Sequence, residues 1–231
     1  MRPLPQDRST WTDEEHQAWA VGGVEPLKLV PSMPDISIVV PTVTGREDLL
    51  TLTKAAFAET SGNHTLEWIV LKDRGGCGAA WQEGAQLATG RYLLLHADDM
   101  VPHTGWADHA IRAAKHGRLP SPRILNPDGS VQNCGTMGGG MLLGDCAEGT
   151  PCNAAPLLFF DRKMWPGIGP CPPIHYYSDD LLSHRARCAG LTVVVWPGFC
   201  FTHLEGTVGR PAMVDRAMKD RAEYLRLVAE G

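Results

Sequence analysis

The chain has 231 residues, 43% of them hydrophobic and 20% charged, with a formal net charge of -5. That length and balance describe one large globular domain rather than a disordered chain, and the acidic excess argues against a general phosphate-binding coat. No apolar run approaches the ~20 residues needed to cross a bilayer and the N-terminus lacks a signal-peptide core, so the sequence reads as soluble and intracellular, in the cytoplasm.

Residues 1–34 are rich in proline and polar groups. Within them TWTDEEHQAWA carries Thr12 and Glu15 at capping-box spacing, which predicts a short helix in an arm that packs Trp11 and Trp19 on the main body. At Ile36 the pattern changes. ISIVV (36–40) is an unbroken β-branched run, as expected of a strand covered on both faces. PTVTGRED follows, with Thr44 and Glu47 again at capping-box spacing before a helix over residues 46–59. LEWIVL (66–71) is the second strand, and KDRGGCG leads into a small-residue helix that Gly90 ends. YLLLH (92–96) is the third strand, and a helix from Thr104 places Trp106, Ala110 and Ala114 on one face.

Three strand–helix alternations with compact connections predict an α/β fold with a mostly parallel sheet and helices on both faces. In such sheets ligands bind at the carboxyl ends of the strands. Pro41-Thr42, Asp73 and the pair Asp98-Asp99 all fall there. Adjacent aspartates repel unless a cation or hydrogen bonds offset them, although an Asp pair is also ordinary content of a solvated turn.

The second half is less regular. RILNPDGSVQNCG (123–135) reads as a hairpin turned by Pro-Asp-Gly, and GGGMLLGD (138–145) as a mobile loop. LLFFDRKMW (157–165) reads as a strand running into a short helix. YYSDDLLSHRARCAG (176–190) is a helix stopped by Gly190, and LTVVVW (191–196) is a buried strand closed by Pro197-Gly198. A terminal helix from Pro211 to Val228 collects Val214, Ala217, Met218, Leu225 and Val228 on one stripe. The seven cysteines (Cys77, Cys134, Cys146, Cys152, Cys171, Cys188, Cys200) form no C-x-x-C pair, which favours reduced structural thiols over a zinc knuckle or disulfide framework. The divisions are 1–34 (arm), 35–206 (main domain) and 207–231 (a C-terminal helix packing on it).

Taken in order, ISIVVPT, EWIVLKD, a helix ending ATG, RYLLLHADD, SDDLLSHRARCAG and a strand leading to FTH resemble the family 2 glycosyltransferases of the GT-A fold. The resemblance runs from about Ile36 to Glu205. It implies a Rossmann-like, mostly parallel central sheet with a smaller mixed sheet on the acceptor side.

By resemblance, Asp98 and Asp99 take the place of the family's D-x-D motif, with Ala97 where a first carboxylate is usual. Asp99 is then the direct ligand of Mn²⁺ or Mg²⁺, hard cations that prefer oxygen. Asp98 faces the donor ribose or assists the metal. His203 falls where a metal- or diphosphate-binding histidine is common; a hydrogen-bonded histidine at a strand end is its plainer reading. Asp179 falls at the base position, with Ser178 where Glu is common and Asp180 as runner-up, although acidic residues opening a helix also complement its dipole.

Pro41, Thr42 and Asp73 imply contacts to the donor nucleotide. Lys72 replaces a companion carboxylate, and WQEG (81–84) replaces R-N-x-G, introducing Trp81. DRGGCG fits neither a Walker loop nor a dinucleotide fingerprint and reads as a turn. His175, Tyr176 and Tyr177 stand on the acceptor side, as stacking surfaces or as packing.

The expected activity is metal-dependent, inverting transfer of one sugar from a nucleoside-diphosphate sugar, a UDP-sugar first among donors, to a hydroxyl. The acceptor is left open among protein, glycan, lipid-linked sugar and modified nucleobase. A nucleic-acid acceptor is not favoured: its motive is Arg112, Lys115, His116, Arg118 and Arg123, which a solvated helix face also explains. The alternatives are a nucleotidyltransferase, for which PTVTGRED lacks the usual phosphate loop, and a catalytically inactive sugar-nucleotide-binding module.

Overall fold

The computed structural model describes residues 33–137, 141–205 and 211–230. The chain divides between Ser32 and Met33, so the arm with Thr12, Glu15, Trp11 and Trp19 lies outside the described residues.

The first half alternates as its apolar pattern requires: β1 (Ile36–Thr42), α1 (Glu47–Thr60), β2 (Leu66–Lys72), α2 (Cys77–Leu87) and β3 (Tyr92–Leu95). A short β4 (Met100–Pro102) and α3 (Trp106–Lys115) follow. Then come β5 (Arg118–Leu125), β6 (Val131–Asn133), β7 (Leu158–Asp161), a 3₁₀ turn and the one-turn α4 (Trp165–Ile168). The chain closes with α5 (Ser178–Cys188), β8 (Thr192–His203) and α6 (Pro211–Glu230).

Two four-stranded sheets result, ordered β2-β1-β3-β7 and β4-β8-β5-β6. In the first, β1 runs parallel to β2 and β3, and β7 is antiparallel to β3. Because side chains alternate across a strand, Val39, Leu93, Leu95 and Phe160 meet Trp81 and Ala85 of α2 on one face. Ile36, Ile38, Val40, Leu94 and Phe159 meet Phe57 of α1 and Trp106 of α3 on the other. Both faces are covered, which explains why the centres of β1, β3 and β7 are apolar on both sides.

The second sheet departs from expectation at β8. The strand does not end at Pro197-Gly198 but runs on to His203. Its register against β5 jumps from Pro122↔Trp196 to Arg123↔Cys200, so residues 197–199 bulge out of the ladder where proline has no N–H to give. The bulge holds an odd number of residues and therefore reverses facing. Val193 and Val195 point into one core layer, whereas beyond the bulge it is Phe201 that points into the other, as Phe199 within the bulge does.

Three smaller expectations are corrected. The capping box at Thr44 and Glu47 does not form: Thr44 Oγ1 donates to Asp73 Oδ2 at 2.8 Å, and Glu47 pairs with Lys72 at 2.6 Å. Part of GGGMLLGD, 138–140, lies outside the described residues, while Leu142 bridges Thr136 and Leu143 N–H donates to Gly135 at 2.9 Å. On α6, Val214, Met218 and Leu225 face solvent, each at least half exposed. That helix docks instead through Asp220, whose Oδ2 accepts the backbone N–H groups of His175 (2.9 Å) and Tyr176 (3.0 Å), and through Tyr224 stacked on Tyr177 at 5.5 Å.

Candidate active site

β1, β2 and β3 are parallel, so their carboxyl ends deliver Thr42, Asp73 and Asp98-Asp99 to one rim of the sheet. Asp73 adopts a left-handed φ of 55°, which aspartate tolerates, and its N–H reaches Thr42 O at 2.9 Å. Hydrogen bonds from the Thr44 hydroxyl and N–H hold the exposed Asp73 carboxyl below its ordinary pKa. Pro41 stays in the ladder, opposite Leu71.

Asp98 and Asp99 are both buried. Thr42 Oγ1 donates to Asp98 Oδ2 at 2.7 Å, and Thr53 of α1 fixes the Asp98 carbonyl at 2.8 Å. The charge is offset by Arg46: Nε lies 2.9 and 3.1 Å from the two Asp98 oxygens, and Nη2 lies 2.9 Å from Asp98 Oδ1 and 2.8 Å from Asp99 Oδ2. Nη1 of the same guanidinium takes Glu205 at 2.8 Å. Sequence reading missed Arg46 and Glu205. The available signal was charge balance, since two adjacent buried carboxylates demand a nearby cation.

β4 explains how His203 arrives. Directly after the Asp pair the chain pairs antiparallel with β8, setting Met100 opposite His203, and Leu204 N–H closes on Asp99 O at 2.9 Å. His203 Nε2 then stands 3.4 Å from Asp99 Oδ2, and its Nδ1 lies 3.1 Å from Gln132 Oε1. Burial pushes the Asp99 carboxyl up, but His203 and Arg46 outweigh it and leave the pKa below the ordinary value.

One imidazole nitrogen and one carboxylate oxygen at this spacing suit a divalent cation that takes its other ligands from water and phosphate. Among the described residues no group of three or more His, Cys, Asp or Glu side chains forms a closed metal cage.

Asp179 opens α5 together with Asp180, after Tyr177 in a left-handed conformation at φ 63°. Such a φ is strained for a bulky residue and is characteristic of functional turns. Burial and then the charge of Asp180 push the Asp179 carboxyl up to about 7. Asp180 is raised too, by burial, with Arg187 opposing. The Cys77 thiol, at the start of α2, is pushed up to about 12, first by burial and then by the charges of Asp179 and Asp98, with Asp99 a smaller contributor. Cys77 Sγ lies 3.2 Å from His175 Nδ1.

Other expectations resolve plainly. Trp81 is core: it is buried, and its indole N–H donates to His96 O at 3.1 Å. His96 is enclosed by Phe57 and Phe201 with both ring nitrogens unpartnered, so burial lowers its pKa to about 3 and keeps it neutral. Of DRGGCG, residues 73–76 form the expected turn, while Cys77 and Gly78 already belong to α2, where a Cβ at Gly78 would lie 2.8 Å from Ile174 O of the neighbouring loop. In the basic cluster, Arg112 pairs with Glu148 at 3.7 Å, Arg123 pairs with Asp145, and Arg112 and Arg118 lie 5.5 and 6.0 Å from the Trp196 ring.

No protein-family model matches the sequence, and no curated protein gives a significant match. Solved structures do resemble the fold. TarS of S. aureus aligns with TM-score 0.61 and 12% identity over 84% of this chain and 39% of its own. TarS 1-349 in complex with UDP gives 0.61 and 12% over 84% and 64%, and GalNAc-T7 with UDP, GalNAc and Mn²⁺ gives 0.62 and 12% over 84% and 48%. The fold is therefore GT-A-like, the α/β architecture of these glycosyltransferases. The chain spans between 39% and 64% of the length of these structures.

Proposed function

We propose that the chain is a metal-dependent, inverting glycosyltransferase that moves one sugar from a nucleoside-diphosphate sugar to a hydroxyl acceptor. The observation that carries this reading is the meeting of Asp99 and His203 at 3.4 Å on the rim where β1, β2 and β3 end. UDP is the favoured nucleotide, because two of the similar structures were solved with it. One of those also contains Mn²⁺.

Asp99 and His203 would hold a Mn²⁺ or Mg²⁺ ion, which when bound neutralises charge on the departing diphosphate. Thr42 and Asp73 address the nucleoside, with Pro41 shaping the floor of that pocket. Asp98, neutralised by Arg46, holds the rim in place and faces the ribose. Asp179 receives the acceptor hydroxyl proton as the oxygen attacks the face opposite the leaving diphosphate, giving inversion. A carboxyl with a pKa near the working pH is matched to that task. Asp180, also raised, is its neighbour and modulator.

The acceptor belongs to the side bearing His175 and Tyr176; the Tyr177 ring is already stacked on Tyr224. The ion pairs and Trp196 contacts of Arg112, Arg118 and Arg123 favour a protein or glycan hydroxyl over a nucleobase. Among the described residues no helix is long and apolar enough to cross a membrane. All seven cysteines are free, in keeping with a cytoplasmic setting.

Incubation with a panel of sugar nucleotides and Mn²⁺, with and without candidate acceptors, tests the proposal. Release of nucleoside diphosphate that Asp99→Ala and Asp179→Asn abolish is the expected result. Pyrophosphate released from a nucleoside triphosphate would favour nucleotidyl transfer instead. Donor binding without any turnover would favour an inactive binding module.

A further inference from the structure

Thr44 stands in the loop between β1 and α1, and its hydrogen bonds leave that loop instead of capping the helix. Its N–H donates to Asp73 Oδ1 at 3.1 Å and its hydroxyl to Asp73 Oδ2 at 2.8 Å, so one residue holds both oxygens of a carboxylate at the end of β2. The Asp73 backbone is fixed as well, by its φ of 55° and by its N–H on Thr42 O at 2.9 Å. Both cations beside Asp73 in sequence engage other carboxylates: Lys72 lies 2.6 Å from Glu47, and Arg74 lies 2.8 Å from Glu83.

Thr44 and Asp73 are exposed, so water would satisfy either side chain and the clasp adds little stability. What it fixes is direction. An ionised carboxylate only accepts, at about two positions on each oxygen. Thr44 takes one position on each, which leaves the second on each to a ligand. The same two bonds hold the carboxyl below its ordinary pKa, so it is an acceptor at neutral pH. Such a group suits a nucleobase with a ring N–H on its pairing edge, as uracil has at N3 and guanine at N1. Cytosine and adenine present a bare ring nitrogen there, whose lone pair a carboxylate repels.

We propose that Thr44 is a positioning residue that aims the Asp73 carboxylate and thereby sets a preference for a donor nucleobase carrying a ring N–H. The inference rests on the reading of Asp73 as a nucleoside contact and deepens it.

Calorimetric titration of the whole protein with UDP, GDP, CDP and ADP, at one Mn²⁺ concentration, reads the preference. The wild type is expected to bind UDP or GDP at least about 10-fold more tightly than CDP and ADP, and the comparison of UDP with GDP names the base. Thr44→Val removes the hydroxyl at nearly constant volume. It should weaken the preferred nucleotide by about 3–10-fold and leave CDP and ADP within about twofold, so that the preference shrinks. Thr44→Ser should restore it. Thr44→Ala lacks the same hydroxyl and serves if valine disturbs the loop.

A hydroxyl-free variant that keeps the wild-type selectivity would overturn the proposal. So would one that weakens all four nucleotides equally, the mark of a merely structural role, or a wild type that prefers CDP or ADP. A wild type that binds none of the four would remove the nucleotide reading itself, and the inference with it.

Discussion

Arg46 grips Asp98 with two nitrogens, Nε at 2.9 Å from Oδ2 and Nη2 at 2.9 Å from Oδ1, and extends Nη2 to Asp99 at 2.8 Å. The guanidinium is partly exposed while both carboxylates are buried. It is the positive charge that offsets two adjacent buried carboxylates at a strand end. Arg46→Ala leaves them uncompensated and should cost about 2–4 kcal/mol of stability, measured by urea denaturation. Arg46→Lys should recover only part of this, since a single ammonium cannot span two oxygens of one carboxylate and a third of its neighbour.

Asp179 links activity to pH. Its folded pKa, raised to about 7 by burial and by Asp180, exceeds that of the unfolded chain. Between those two values the folded state holds a proton that the unfolded state has released, so this group's contribution to stability falls as pH rises. Asp179→Asn removes that slope. At neutral pH the variant should be at least as stable as wild type, with a gain of about 1 kcal/mol worth ~2–4 °C in Tm. The same substitution should lower kcat by about 10²–10⁴-fold, and wild-type kcat should rise with pH through about 7 as the base ionises.

Asp220 is a buried carboxylate on a helix whose apolar stripe faces solvent. Asp220→Ala strands the N–H groups of His175 and Tyr176 and should cost about 1–3 kcal/mol. Hydrogen exchange should show α6 and residues 174–177 losing protection together. Asp220→Asn keeps an acceptor oxygen and should be milder.

Two glycines separate steric from conformational requirements. At Gly78 an added Cβ would crowd the Pro172 carbonyl and stand 2.8 Å from Ile174 O and 3.0 Å from Cys171 Sγ. At Gly190 it meets nothing within 4 Å, but φ is +90°. Gly78→Ala should cost about 1–3 kcal/mol and lower activity, because it displaces the loop leading to Asp179. Gly190→Ala should cost about 1 kcal/mol with kcat unchanged. Paired denaturation and kinetic measurements check both.

The sheet strands were legible because each is a short β-branched or leucine-rich run closed by turn residues, and the carboxylates at their ends followed from the parallel order. The partners of those carboxylates were not legible. Arg46 lies in a turn with no periodicity. Pro197-Gly198 reads as a stop in one dimension, yet a bulge absorbs it. The hydrophobic stripe of α6 suggested a buried face, whereas Asp220 and Tyr224 dock the helix. Trp81, which looked like a change in the donor pocket, belongs to the core because α2 packs that side against β1 and β3.

The three residues between Trp196 and Cys200 act as a spacer of fixed parity. Losing or gaining one there would bring Leu204 or Thr202, respectively, to the place of the imidazole, whereas changes by two would leave His203-type facing intact. Length variation in this segment among natural relatives should therefore come in even steps.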